Sequence, residues 1–258
     1  MLGTTAGEAC MVTLSGVSKR YGSTTVLQQI DLAIVQGEFV SLIGPSGCGK
    51  STLLKLISGL TNASEGSILV EGRAPVQARK TISYIFQDAT LLPWRTVTRN
   101  VGLGLELEHV DSKTRKAKVQ SLLELVGLSH VARAFPRQLS GGMKMRVSVA
   151  RALATTPRLL LMDEPFGALD EMTRDRLNEE LLRLRAEQNW TAVFVTHSVA
   201  EAVFLSTRII VLAPSPGRIA QEISITLPFP RSRVTRESPE FESLVTTVSR
   251  ALRGVHSA

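Results

Sequence analysis

Residues 44–52 read Gly-Pro-Ser-Gly-Cys-Gly-Lys-Ser-Thr. They follow a short apolar run, Phe39-Val40-Ser41-Leu42-Ile43, and lead into a helical pattern at 51–58. The stretch therefore predicts a buried strand, a glycine-rich loop and a helix in immediate succession. In that setting Gly44, Pro45, Ser46, Gly47, Cys48 and Gly49 form a loop whose backbone wraps phosphates at close range. Lys50 brings a positive charge to the outer phosphates, and Ser51, followed by Thr52, offers a hydroxyl to magnesium.

Outward from this loop, further apolar runs recur at 68–70, 82–86, 159–162, 192–195 and 209–212 and read as buried strands. Helical patterns lie between them at 113–126, 142–154, 173–187 and 199–205. Strands alternating with helices predict an α/β fold with a mostly parallel sheet. Ahead of the loop, 12–21 and 29–35 alternate apolar with polar residues, as half-buried antiparallel strands do, and Gln36-Gly37 turns the chain. From 88 to 151 the helical signals come without a strand. The chain thus divides into a loose tail at 1–11, an α/β core at 12–87 and 152–217, an inserted helical unit at 88–151, and a C-terminal extension at 218–258. That extension ends in a helix opened by Ser238-Pro239, with Phe241, Leu244, Val245, Val248 and Leu252 on one face, which suits packing on the core.

With 43% hydrophobic residues and interspersed charge, the 258-residue chain falls among folded globular proteins. Its 30 Lys+Arg exceed its 23 Asp+Glu, a net +7, yet no run of like charge gathers into a dedicated basic patch. Cys10 and Cys48 make neither a disulfide framework nor a metal-ligand set, in keeping with a reducing compartment. The opening MLGTTAGEACMV lacks the regions of a secretory signal, and no stretch approaches the ~18 consecutive apolar residues of a membrane span.

A phosphate loop that works with magnesium needs a second oxygen ligand, normally an aspartate ending a neighbouring apolar strand. Asp163, which ends Leu159-Leu160-Leu161-Met162-Asp163, fits that role. Glu164 follows with a carboxylate free to polarise a water for attack on a phosphate, since Pro165 argues against a simple helix start there. Gln87 and His197 end further strands at the edge where open α/β sheets bind ligands, and read as sensors of the water and the outermost phosphate. A second anion cradle stands at Leu139-Ser140-Gly141-Gly142-Met143, where a serine and paired glycines open a helical pattern. Leu91, Leu92 and Trp94 place apolar side chains in a non-periodic stretch, as contact surfaces do.

The phosphate loop GPSGCGKST, Gln87, LSGGM, LLLMDEP, Gly167-Ala168-Leu169-Asp170 and His197, in this order within residues 12–217, resemble the ATP-binding cassette (ABC) ATPases. The resemblance implies a P-loop NTPase fold with an N-terminal antiparallel β region, a mostly parallel core sheet and an inserted helical subdomain. It implies ATP and Mg2+, with Ser51, Gln87 and Asp163 around the metal, Glu164 and His197 as the catalytic pair, and Tyr21 stacked on adenine. By the same resemblance the second cradle serves another chain's ATP. Two copies pair head to tail, each nucleotide lying between the Lys50 loop of one and Leu139, Ser140, Gly141, Gly142, Met143 and Asp170 of the other. In importers of this family the segment after Gln87 receives a short helix from a transmembrane subunit. Leu91, Leu92 and Trp94 would then touch integral membrane permease subunits at the cytoplasmic face of the cell membrane. A periplasmic or extracellular substrate-binding protein would take part indirectly, and nucleic acid not at all. DATLLPWRTV and THSVAEAVFLSTRIIVLAPSPGRI are similar to importers of nitrate, sulfonates, taurine or pyrimidine precursors. The rival, a soluble cassette ATPase acting on nucleic acid or the ribosome, usually carries paired cassettes, a coiled-coil insert or zinc modules. This sequence has one phosphate loop, one LSGGM, no heptad array and no cysteine cluster. A P-loop kinase leaves LSGGM unexplained. Met143, Met145 and Gly167 depart from the commoner family pattern without removing a charge or a ligand.

Overall fold

The computed structural model describes residues 10–256. The tail expected at 1–11 lies outside the described residues except for Cys10 and Met11, which open a strand, with Met11 buried.

Two sheets carry the fold. In the smaller one, β1 (Cys10–Tyr21) pairs antiparallel with β2 (Thr24–Val35) on one side and with β4 (Glu65–Val70) on the other. The larger sheet takes β3 (Phe39–Ile43), β5 (Ile82–Ile85), β6 (Leu159–Asp163), β7 (Thr191–Val195) and β8 (Arg208–Ala213) in parallel, and β9 (Arg218–Ser224) antiparallel at its edge. Its order is β5-β6-β7-β3-β8-β9. Every residue of β3, β6 and β7 is buried, because both faces of the sheet are covered. Alternate residues accordingly serve two cores. Phe39 and Phe194 point to one that includes Trp190, Phe166 and the helices, while Val40, Leu42 and Val193 point to one shared with the antiparallel sheet. Trp190 is only 1% exposed and lies 6.2 Å from the Phe39 ring.

Helix α1 (Lys50–Ile57) follows β3. Between β5 and β6 come α2 (Val97–Val101), α3 (Leu103–Leu107), α4 (Ser112–Leu125) and α5 (Gly141–Ala154), the last running past the expected boundary at 151 and packing on β5. Then α6 (Glu171–Gln188) and α7 (Val199–Leu205) alternate with the strands, and α8 (Arg233–Arg236) and α9 (Pro239–His256) end the chain. Val248 is fully buried and Phe241 nearly so, as the shared apolar face of α9 predicts. Among the described residues no helix is long and apolar enough to cross a membrane.

Three expectations need correction. The run at 68–70 is not a buried strand like those of the core sheet: it lies in β4 of the antiparallel sheet, with Leu69 40% exposed. Strand β2 starts at Thr24 rather than at 29, because Gln29 at φ +46 interrupts the alternation within one continuous strand. Residues 218–224, expected to open a C-terminal extension, form β9, which joins the core sheet by backbone pairing to β8. Only Ile223 of its seven residues is buried, so the sequence carries almost no strand pattern there.

Candidate functional site

Lys50 is the first residue of α1, and its ammonium folds back over the preceding loop, donating to the carbonyls of Gly44 and Pro45 at 2.8 Å each. Gly49 adopts φ +97, and a Cβ there would stand 2.5 Å from Leu27 Cδ2, so β2 presses directly on the loop. The turn after β8 presses from another side. Gly217 exchanges backbone hydrogen bonds of 2.9 Å with Val26 and Gln28, and a Cβ on it would run into the Cys48 carbonyl. The Cys48 thiol faces the core, and burial pushes it above the ordinary thiol range against the pull of Lys50. Cys48 is therefore part of the loop's floor rather than a reactive thiol.

The loop opens on a cleft of about 300 Å³ lined by Ser46, Gly47, Gly49, Lys50, Ser51, Thr52, Gln87, Glu164 and His197, all singled out by the sequence, and by Val26, which was not. Ser51 Oγ donates to Asp163 Oδ1 at 2.8 Å, and the Tyr84 phenol donates to Oδ2 at 3.3 Å. Burial pushes the Asp163 carboxyl up while these two hydrogen bonds pull it down. Burial and the adjacent carboxylate push the Tyr84 phenol far up, so it stays a donor. Ser51 and Asp163 thus present hard oxygen atoms side by side, the donor chemistry that Mg2+ takes alongside substrate phosphates. Gln87 is exposed in the cleft wall.

Glu164 leaves β6 at φ +50, a conformation that few residues other than glycine adopt. Its N–H donates to the Val195 carbonyl at 3.0 Å, and its own carbonyl accepts from Gly167 N–H at 3.3 Å. This turn sets its carboxylate between two other sequence-predicted residues. His197 Nε2 lies 2.7 Å from Oε1, and Gln87 Nε2 lies 3.5 Å from Oε2.

The second cradle is elsewhere. Ser140 caps α5, its Oγ accepting from Met143 N–H at 3.2 Å, while Leu139 is buried beneath and Gly141 stands open. A Cβ on Gly142 would lie 3.1 Å from Leu169 Cδ2 and 3.4 Å from the Ala168 carbonyl, so the cradle touches the turn that ends in Asp170. Asp170 caps α6 by accepting Thr173 N–H at 2.9 Å, a bond that, with the Arg146 charge, holds its carboxyl below the usual range. Residues 139–143 and Asp170 do not line the Lys50 cleft of their own chain. Tyr21 also stands outside that lining, half exposed at the end of β1, with the Lys19 ammonium 4.7 Å from its ring.

The apolar loop after Gln87 is divided. Leu91 packs against the core and Leu92 is half-buried, whereas Trp94 is 70% exposed. Two residues that the sequence reading passed over shape it. Asn100, fully buried on α2, accepts from Leu92 N–H at 2.8 Å and turns its amide toward the carbonyls of Leu92, Arg95 and Thr96 at 3.0–3.1 Å. Arg151 of α5 donates to the carbonyls of Thr90 at 2.9 Å and Ala89 at 3.2 Å, tying the helix headed by Ser140 to the loop that follows Gln87. Trp94 borders a groove of about 580 Å³ whose walls also hold Arg95, Arg99, Arg115 and Lys116.

The sequence profile of the ABC transporter family matches residues 27–167. An aliphatic sulfonates import ATP-binding protein, SsuB, of Bacillus cereus is 43% identical over 228 residues, covering 88% of this chain and 90% of its own. An ABC transporter ATP-binding protein of Methanocaldococcus jannaschii is 44% identical over 222 residues, covering 86% and 83% respectively. Among solved structures, the dimeric ATP-binding cassette MJ0796 in a post-hydrolysis state bound to ADP and Pi matches with a TM-score of 0.77 at 33% identity, over 84% of this chain and all of its own. With the phosphate loop, the strand-end carboxylates and the capped LSGGM helix in one chain, these matches identify it: the protein belongs to the ABC transporter family, as an ATP-binding cassette.

Proposed function

We propose that this chain is the ATP-hydrolysing subunit of an ABC importer, working as a head-to-tail homodimer on a membrane-embedded permease. The hydrolytic part rests on one observation, the convergence of Lys50, Ser51, Gln87, Glu164 and His197 on a single cleft. Lys50 and the loop backbone hold the β- and γ-phosphates. Glu164 accepts the proton of the attacking water, and the 2.7 Å contact with His197 together with Gln87 fixes where its carboxylate points. Ser51 and Asp163, with Gln87 beside them, would hold Mg2+, which when bound neutralises charge on the phosphates. In this reading Ser140, Gly141 and Gly142 close on the partner's nucleotide with Leu139, Met143 and Asp170, so hydrolysis alters how the two copies hold each other. Tyr21 takes the base.

The import role is supported by relatives named for the import of aliphatic sulfonates, and in this reading the cargo is a small organic sulfonate. Trp94, beside a groove rich in arginine and lysine, is the contact offered to the permease, with Leu91 and Leu92 shaping the loop behind it. The chain then works on the cytoplasmic face of the cell membrane, an external substrate-binding protein delivering cargo to the permease from the other side. The helices from α2 to α5, which lie between β5 and β6, are taken as a helical unit inserted into the core.

Glu164→Gln tests the hydrolytic assignment. ATP should still bind and an ATP-held dimer accumulate, while turnover falls by ~10²–10⁴-fold. Brisk hydrolysis by this variant would exclude Glu164 as the base.

A further inference from the structure

Beyond the His197–Glu164 contact lies a second cavity, of about 400 Å³, with Glu164, Phe166, Arg174, His197 and Glu201 in its wall. Glu201 is 5% exposed, an unusual place for a carboxylate unless something holds it. Its Oε2 accepts the Thr196 hydroxyl at 2.6 Å, and the same Thr196 oxygen accepts Ser198 N–H at 3.0 Å. Ser198 Oγ in turn accepts Glu201 N–H at 3.3 Å, capping α7. These bonds form a closed ring around the one residue between Thr196 and Ser198, which is His197. On its other side Glu201 Oε1 lies 3.7 Å from Arg174 Nε, and Arg174 Nη2 donates to the Leu169 carbonyl at 3.0 Å, one residue before Asp170. The hydroxyl has a single hydrogen and spends it on Glu201, leaving its lone pairs for Ser198. Without the carboxylate that hydrogen has no fixed direction and the ring opens.

We infer that Glu201 is a positioning residue for hydrolysis: through Thr196 it sets the loop that carries His197, and through Arg174 it ties that loop to the turn leading into Asp170. This inference rests on the assignment of Glu164 and His197 to hydrolysis. Burial pushes the Glu201 carboxyl up, while the Thr196 hydroxyl and Arg174 pull it down. None of Thr196, Glu201 and Arg174 lines the Lys50 cleft, so the network orients the hydrolytic contact without holding the phosphate cradle.

The test compares steady-state ATP hydrolysis by full-length variants, each assayed well below its melting temperature. Glu201→Ala should lower kcat by ~10-fold or more while KM for ATP stays within about twofold, the pattern of an interaction that matters to the reacting geometry rather than to binding. Thr196→Val, nearly isosteric, should do the same, and Thr196→Ser, which keeps the hydroxyl, should recover most of the rate; this pair tests the hydroxyl link of the ring. Glu201→Gln, which keeps the side chain's volume and an acceptor oxygen for Thr196, should retain more of the rate than Glu201→Ala and stands in for it if the alanine variant folds poorly. In a His197→Ala background, Glu201→Ala should cost clearly less than it does alone, because the arm through Thr196 acts on the contact that His197→Ala has already removed. Four outcomes overturn the inference: kcat within twofold in both Glu201→Ala and Thr196→Val, KM rising in step with the lost rate, a serine that fails to rescue, or losses that add in the double variant. If His197→Ala alone hydrolyses ATP at the parent rate, the assignment of His197 fails instead. An impaired His197→Ala beside an unimpaired Glu201→Ala leaves that assignment standing and removes Glu201 from it.

Discussion

Asn100→Ala isolates the device that shapes the Trp94 loop. The parent side chain accepts one N–H and faces three carbonyls, but its two amide hydrogens serve at most two of them fully. Three effective hydrogen bonds at ~1 kcal/mol net each, plus part of the desolvation cost of a Leu92 N–H left without its acceptor, give a loss of ~3–4 kcal/mol. In a domain of this size ~1 kcal/mol moves Tm by ~2–4 °C, so the variant should melt about 10 °C lower. Urea unfolding of the full chain reads the same loss as a lower midpoint at unchanged slope. Asn100→Asp should be no better than alanine despite its shape, because it turns a second acceptor toward three carbonyls. ATP binding should persist in both, since the Lys50 cleft is built from other elements. A loss below ~1 kcal/mol in Asn100→Ala, or a tolerated aspartate, would show that the loop is held by something other than this amide.

Lys50→Ala should leave the fold intact and weaken nucleotide binding, as equilibrium titration with a fluorescent ATP analogue would read; unchanged affinity would move the phosphate site elsewhere. Trp94→Ala removes an exposed side chain that does not line the cleft, so ATPase activity of the isolated chain should stay within about twofold while transport or co-purification with the permease falls. Equal transport with and without Trp94 removes the docking role. Mixing Ser140→Arg with Lys50→Ala chains should restore ATP-dependent cross-linking that neither variant shows alone, because one intact composite site reappears in the mixed dimer. No gain on mixing would leave the LSGGM helix start as a cap and nothing more.

The residues at the Lys50 cleft were legible in the sequence because the loop chemistry is local. A strand, glycines at set positions and a following helix fix Lys50 and Ser51 within nine residues; Asp163, Glu164 and His197 stand at the ends of apolar runs whose burial is uniform, and Gln87 follows a shorter apolar run, β5, of which only Ile85 is fully buried. What escaped was non-local or weakly patterned. Strand β9 buries one side chain and earns its place by pairing its backbone with β8, which composition does not register. Val26 was passed over because the bulge at Gln29 hid the first half of β2. Asn100, Arg151 and Glu201 act through carbonyls and hydroxyls that only the folded chain brings near, and each is an ordinary polar residue on a helix until its neighbours are known. The second cradle presents the opposite case. Its capped helix could be read directly from LSGGM, but what it faces lies outside a single chain.

The chain's two tryptophans sit in opposite surroundings, Trp190 walled in beside Phe39 and Trp94 open beside Arg95 and Arg99. Their light emission should therefore separate, the enclosed indole emitting toward the blue and the open one toward the red. Iodide, concentrated by the neighbouring guanidinium groups, should quench the red component more strongly than caesium does. A protein or peptide settling over the groove would shield Trp94 from iodide and shift its emission, while the signal from Trp190 stays constant. The native chain thus carries its own optical reporter of docking, with an internal standard, and needs no attached dye.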